Sequence, residues 1–248
     1  RAAQWQRGLR IFGEAPVEVA PDAYSLVAVA SCCAAAARWE QALALALPSP
    51  GSGARSPSTV VFNAAAAACA RAARWELCLE LLDSMAQRRA VPDDVSYSIA
   101  IHSLGERGGC SQRWPLALAL LSRRRPARLS AVNAAIAACC SASQWQQSCM
   151  LLFAADVADE RDVISFNSSI AACERAWKWE HSLKLISDMD RRRLDPDVVS
   201  FTAAANACEQ ARQWSLALLV LDQLRARGLR PAVASLTVAA RAAQRWEQ

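Results

Sequence analysis

The sequence predicts an all-α protein, an α-solenoid of stacked helix-turn-helix repeats of about 35 residues. Three observations carry this expectation. Trp5, Trp39, Trp75, Trp114, Trp145, Trp179, Trp214 and Trp246 are spaced 34, 36, 39, 31, 34, 35 and 32 residues apart, so eight of the nine tryptophans fall in one register. Twelve residues before five of them stand Val27, Asn63, Asn133, Asn167 and Thr202, each preceded by Leu, Phe or Val, and six residues after that column come Cys33, Cys69, Cys139, Cys173 and Cys208. Most of these tryptophans also open a Leu-rich segment, as in Trp75-Glu-Leu-Cys-Leu-Glu-Leu-Leu. Self-similarity at such a period marks a repeat architecture, in which each unit has an apolar face that it buries only against its neighbours.

Residues 1–22 read as a leading half-repeat, followed by copies 23–58, 59–93, 94–128, 129–162, 163–197 and 198–232, with a trailing half from Val233. Copy 23–58 leaves its second helix through the flexible run Pro48-Ser-Pro-Gly-Ser-Gly. Copy 94–128 places Trp114 sixteen residues after Ser98, so Gly105 to Arg113 holds about four extra residues. Its second helix is correspondingly short, opened by Pro115 in a helix-compatible first turn and ended before Pro126.

Copy 163–197 is the clearest. Its first helix is expected from Val163 to about Arg175, and its second sets Trp179, Leu183, Ile186 and Met189 on one face of a 3.6-residue period. Arg191 to Arg193 then meet the negative helix end, and Leu194-Asp195-Pro196-Asp197 supplies the stop. The same register makes Trp246 the start of another second helix. A chain that begins at Arg1 without Met and ends two residues after that Trp reads as part of a longer protein.

With 248 residues, 54% of them hydrophobic, and only 8 Gly and 10 Pro, the chain has the composition of a folded protein with a large core. No apolar run approaches the roughly 20 residues of a membrane span. The net charge of +5 permits a polyanionic partner without requiring one, and Lys178 and Lys184 are the only lysines among 28 basic residues. Ten Cys include no Cys-x-x-Cys, and five of them share one repeat position, the behaviour of small buried residues in a reducing compartment. His102 and His181 stand at different repeat positions, and neither a phosphate-cradling Gly loop nor a nucleophile elbow occurs. The sequence therefore gives no catalytic constellation, metal site or cofactor site.

At Pro196-Asp197-Val198-Val199-Ser200-Phe201-Thr202, with its relatives Asp162-Val-Ile-Ser-Phe-Asn167 and Pro92-Asp93-Asp-Val-Ser-Tyr-Ser98, the sequence resembles the pentatricopeptide repeat (PPR) family over essentially its whole length. Tetratricopeptide repeats share the hairpin plan but put Trp early in the first helix, whereas here Trp179 lies 17 residues before Pro196. The resemblance implies a right-handed superhelix that binds single-stranded RNA along a concave face of first helices, one nucleotide per repeat. It implies that each base is read by the residue after the aromatic together with the last residue of the repeat. Carried onto this chain, the uridine-preferring pairs are Asn63 with Asp93, Asn133 with Asp162, and Asn167 with Asp197.

The other copies depart from that pattern: Thr202 faces Ala232, Ser98 faces Arg128, and Val27 faces Ser58. The implied target is 5′-N-U-R-U-U-R. Base-sandwiching residues, three before each reader, are Tyr24, Val60, Val95, Ile164 and Val199, with Ser130 the polar exception, and Arg71 and Arg175 are implied phosphate contacts. By the same resemblance the chain acts in a chloroplast or mitochondrion, in RNA processing, stabilisation or translation, without being an enzyme. A protein-binding solenoid and the guide region of a longer RNA-processing enzyme are the alternatives.

Plain structural roles compete for the same residues. An Asn near a helix start and an Asp just before one both satisfy backbone groups there. Threefold recurrence of the pair in register favours the reading role. The Trp column and the Leu stripes read as packing, and the Arg runs at Arg88-Arg89, Arg123 to Arg125 and Arg191 to Arg193 as charge complementing helix ends.

Overall fold

The computed structural model describes residues 28–29, 31–33, 38–47, 58–88, 90–105, 113–123, 128–154 and 162–246. These residues form α-helices and connecting turns, with no strand among them. The helices are α1 (Trp39–Ala46), α2 (Thr59–Arg71), α3 (Trp75–Gln87), α4 (Asp94–Gly105), α5 (Trp114–Arg123), α6 (Leu129–Ser141), α7 (Trp145–Leu152), α8 (Val163–Arg175), α9 (Trp179–Arg191), α10 (Val198–Gln210), α11 (Trp214–Ala226) and α12 (Val233–Trp246). None is long and apolar enough to cross a membrane.

The chain divides into two compact units, residues 1–108 with 119–125, and residues 109–118 with 126–248. In the first, α2 packs on its hairpin partner α3, on the next first helix α4, and on α1. In the second, the first helices α6, α8, α10 and α12 pack on one another in succession, and each of α7, α9 and α11 lies against its own first helix and the following one. Within each unit the fold is thus a stack of helix-turn-helix repeats, the arrangement in which one hairpin buries the apolar face of the next.

First helices are enclosed on several sides, which explains their Ala-rich composition. In α2, Val61, Phe62, Ala65, Ala66, Ala68, Cys69 and Ala70 are all buried, and an apolar residue on every side suits a helix with neighbours all round. The aromatic before the reading column is the largest residue of this core: Phe62, Phe166 and Phe201 are fully buried. Second helices contribute a small residue three positions after Trp. Ala42, Cys78, Ala117, Ser148, Ser182 and Ala217 have no exposed surface, which lets the backbones approach closely. Across one such contact the hydroxyls of Ser148 and Ser169 meet at 3.0 Å.

A single turn motif sets the spacing of the Cys and Trp columns. The backbone N–H groups of Arg74, Gln144, Lys178 and Gln213 donate to the carbonyls of Cys69, Cys139, Cys173 and Cys208 at 2.9, 2.9, 2.9 and 2.8 Å. The residue before each donor is left-handed, with φ of 58° at Ala73, 56° at Ser143, 59° at Trp177 and 60° at Arg212. This is the Schellman ending, and it fixes the Cys as the first of its bonded carbonyls, with the next helix starting at the Trp six residues on.

The same ending stops two of the second helices. Leu194 N–H donates to Met189 O at 3.0 Å around Arg193 at φ 59°, and Leu229 N–H to Leu224 O at 3.3 Å around Gly228 at φ 72°. The stop of α9 therefore lies before Leu194, not at Pro196 as the sequence led us to expect. Trp246 also departs from expectation: it ends α12, a first helix, and opens no second one. Its spacing of 32 from Trp214 leaves too few residues to complete the first helix and turn before it.

The Trp column is half-buried and carries cations. Arg74 places its guanidinium 5.1 Å from the Trp39 ring centre and Lys178 its ammonium 6.0 Å from that of Trp145, so the residue before one Trp covers the Trp of the preceding copy. His181 adds a tilted ring contact on Trp145 at 4.3 Å.

Candidate nucleic-acid interface

The candidate site lies where one first helix meets the start of the next. Asp162 and Asp197 stand in extended backbone immediately before α8 and α10, and their carboxylates accept from the N–H groups of Ser165 and Ser200, each at 2.9 Å. Asp93 does the same for Ser96 of α4 at 2.8 Å. These bonds satisfy N–H groups that have no partner within the helix, so each Asp is an N-cap. The capping role and the pairing role fall on the same carboxylates.

Each Asp also holds the reader of the preceding copy. Asn63 Nδ2 donates to Asp93 Oδ1 at 3.0 Å, and Asn167 Nδ2 sits between the two oxygens of Asp197 at 3.1 and 3.2 Å. Asn133 Nδ2 lies 3.3 and 3.4 Å from those of Asp162. An ionised carboxylate only accepts, so the amide must turn its NH₂ toward the Asp. One further N–H and one carbonyl lone pair then remain for a ligand.

Burial alone would raise the Asp93, Asp162 and Asp197 carboxyls. The bonds from the Ser N–H, the Asn amide and the Ser hydroxyl outweigh it and hold all three below the ordinary carboxylate value. The pairs therefore present negative charge and hydrogen-bond acceptors.

Apolar side chains flank them. Val60, Val95, Ile164 and Val199 are 52%, 53%, 63% and 59% exposed, unusual for branched aliphatics inside a helical repeat. Val60 lies on the helix of Asn63 and Val95 on that of the capping Asp93, with Ile164 and Val199 in the same relation to Asn167. Ser130 is exposed as well.

The remaining sequence-predicted residues form no such pairs. The Ser98 hydroxyl donates to Asp94 O at 2.7 Å and the Thr202 hydroxyl to Val198 O at 2.6 Å, both back into their own helices. Arg128 precedes α6 and Ser58 precedes α2, and neither caps its helix through its side chain. Arg71 and Arg175 are exposed last residues of α2 and α8, about 12 Å along the axis from Asn63 and Asn167 at 1.5 Å per residue. Tyr24 and Val27 lie outside the described residues. Among the described residues no group of three His, Cys, Asp or Glu is placed to hold a metal ion.

Sequence reasoning missed Ser96, Ser165 and Ser200. Their hydroxyls donate to the Oδ1 atoms of Asn63, Asn133 and Asn167 at 2.6, 2.5 and 2.5 Å, and all three serines are buried. The signal was present as Asp-x-x-Ser at 93–96, 162–165 and 197–200, the spacing of a capping box.

Comparison with protein families assigns this architecture. Residues 161–210 match the PPR repeat family model and residues 60–89 the PPR repeat model. The chain belongs to the pentatricopeptide repeat family. Comparison with curated proteins gives no match. Among solved structures it is similar to the pentatricopeptide repeat protein PPR10 from maize, with a TM-score of 0.73 at 23% identity over 96% of this chain and 34% of that one. Similarity to PPR10 in complex with an 18-nt psaJ RNA element has a TM-score of 0.69 at 22% identity, over 95% and 38% of the two chains. The PPR domain of Arabidopsis thaliana protein-only RNase P 1, in complex with tRNA, matches with a TM-score of 0.59 at 8% identity, over 71% of this chain and 93% of that one. The chain thus spans about a third of the length of the PPR10 chains it resembles.

Proposed function

We propose that the chain, as one array of repeats with the boundaries read from its sequence, binds single-stranded RNA, one nucleotide per repeat. The pairs Asn63–Asp93, Asn133–Asp162 and Asn167–Asp197 select uridine. The observation that carries this reading is the threefold recurrence of a hydrogen-bonded Asn–Asp pair beside exposed aliphatic side chains. The free Asn N–H complements a uracil carbonyl and the carboxylate complements the imino N3–H. Cytosine, with an unprotonated N3, would set acceptor against acceptor. The exposed Val and Ile offer apolar surfaces to the two faces of the base.

Thr202 differs because its hydroxyl proton is committed to Val198 O, leaving only lone pairs. It suits a donor such as a purine amino or imino group. In the order of the repeats the proposed site is 5′-N-U-R-U-U-R. Base contacts and stacking contribute roughly 1–3 kcal/mol each per nucleotide, enough for selectivity at three positions. The chain would act by occupying a strand, in processing, stabilisation or translation of chloroplast or mitochondrial RNA, with Arg71 and Arg175 available to phosphates.

The test titrates the chain with a labelled U-rich single strand, poly(A), an RNA duplex and the matching DNA at two salt concentrations. Tightest binding of the U-rich RNA, weakening as salt rises, is expected. Equal or absent binding to all four would leave the protein-binding scaffold as the better reading.

A further inference from the structure

The serine that opens the following repeat belongs to the reader. We propose that Ser96, Ser165 and Ser200 are specificity-determining positioning residues, each fixing the plane of the Asn amide in the preceding repeat. This inference rests on the base-reading role proposed above.

The argument starts from proton counting. Each Ser Oγ lies near two oxygens: Asn Oδ1 at 2.6, 2.5 and 2.5 Å, and Asp Oδ1 at 2.9, 2.7 and 3.0 Å, for Ser96, Ser165 and Ser200 respectively. A hydroxyl has one proton. The Asn oxygen carries none, so an O···O approach of this length is attractive only if the serine proton lies between the two atoms. The Asn Oδ1 therefore accepts from Ser, while its Nδ2 donates to Asp.

The two bonds act at opposite ends of the amide. A bond to Asp alone would leave the amide free to swing about that contact. The second bond, from a fully enclosed serine on the capped first turn of the next helix, fixes the plane. What is left facing outward is one N–H and one lone pair in a set direction. A reader with a set direction distinguishes bases, whereas one that swings can meet a carbonyl or an amine equally well.

The chain itself offers an internal comparison. Where a repeat ends in Asp, at Asp93, Asp162 and Asp197, the third residue of the next helix is Ser; after Ser58 and Arg128 it is Val61 and Ala131. Capping alone does not require the serine to face the preceding repeat, yet all three do. Ser235 stands in the same position after Ala232, buried, with its hydroxyl returned to Ala232 O at 2.7 Å. It is a positioning serine whose reader and capping Asp are missing.

Two sets of variants of the 248-residue chain test this. Ser165→Ala should lower the preference for U over C at the nucleotide read by Asn133 about fivefold, the effect of one hydrogen bond, while leaving preference at the Asn167 nucleotide unchanged. Ser165→Thr, which keeps the hydroxyl, should restore it. In the second set, Thr202→Asn with Ala232→Asp should create a new U preference at the nucleotide read by position 202, and adding Ser235→Ala should remove most of it. The proposal is overturned if Ser165→Ala and Ser235→Ala leave these ratios unchanged while Asn133→Ala abolishes the preference at its nucleotide. If Asn133→Ala also changes nothing, the base-reading role itself fails. Circular dichroism melts identify any variant that acts by unfolding, and the gain-of-function set does not depend on removing a buried group.

Discussion

Asn167 on one first helix donates to Asp197 at 3.1 and 3.2 Å, and the same Asp197 accepts the N–H of Ser200 at 2.9 Å as the cap of the next. One carboxylate thus ties two successive repeats together and starts a helix. Removing it should cost stability as well as selectivity. Asp197→Ala is expected to destabilise the chain by about 1 kcal/mol, whereas Asp197→Asn, an equally good cap, should cost only a few tenths. Denaturant unfolding of the two variants measures the difference.

The pH dependence of these caps follows from their lowered carboxyls. A group whose pKa falls on folding adds stability that is fully present above its unfolded value of about 3.9 and is lost as pH falls through the lower folded value. Neither stability from Asp93, Asp162 and Asp197 nor their preference for U should change between about pH 5 and 8. Both should fall at more acid pH. The triple Asp→Asn variant should show a shallower acid limb in thermal melts recorded across that range.

Much of this fold was legible because its columns are periodic. Trp, Cys and the aromatic–polar step recur at fixed intervals, and helices α8, α9 and α10 begin where those columns place them. What the sequence concealed were features set by backbone geometry. The Schellman ending depends on a left-handed residue that here is Ala73, Ser143, Trp177 or Arg212, none of them the glycine that would announce it. The Asn–Asp pairs were visible as residues in register, but Ser165 read as an ordinary helix residue. Only the approach of its hydroxyl to Asn133 from the next repeat shows that a third side chain is involved.

Those non-glycine turns make a stability prediction. Left-handed backbone costs an L-residue roughly 1–2 kcal/mol, partly offset by the greater freedom of an unfolded glycine. Ser143→Gly and Trp177→Gly are each expected to raise stability by about 0.5–1 kcal/mol. Trp177 is exposed, so its removal takes little from the core. Midpoints of urea unfolding at constant slope give the comparison.

The thiols should divide into two classes. Burial pushes Cys69 up to about 12 and Cys139 and Cys208 up to about 11, and none of the three has exposed surface. Cys32 and Cys149 are partly exposed, and a hydrogen bond from the Cys173 thiol lowers Cys149. Iodoacetamide on the native chain at mildly alkaline pH should label Cys32 and Cys149 first. The buried column should react only after denaturation. Peptide mass spectrometry of the time course separates the two.

The most direct measurement changes one reader and asks which base it prefers. Asp162→Asn replaces an acceptor facing the imino position by a group that can donate, so a base with an unprotonated N3 becomes the better partner. Competition binding with RNAs that differ only at the nucleotide read by Asn133 should show preference moving from U to C there. The nucleotide read by Asn167 should keep its U preference in the same variant. An unchanged preference at the altered position, with the fold intact, would contradict base reading by the Asn–Asp pairs.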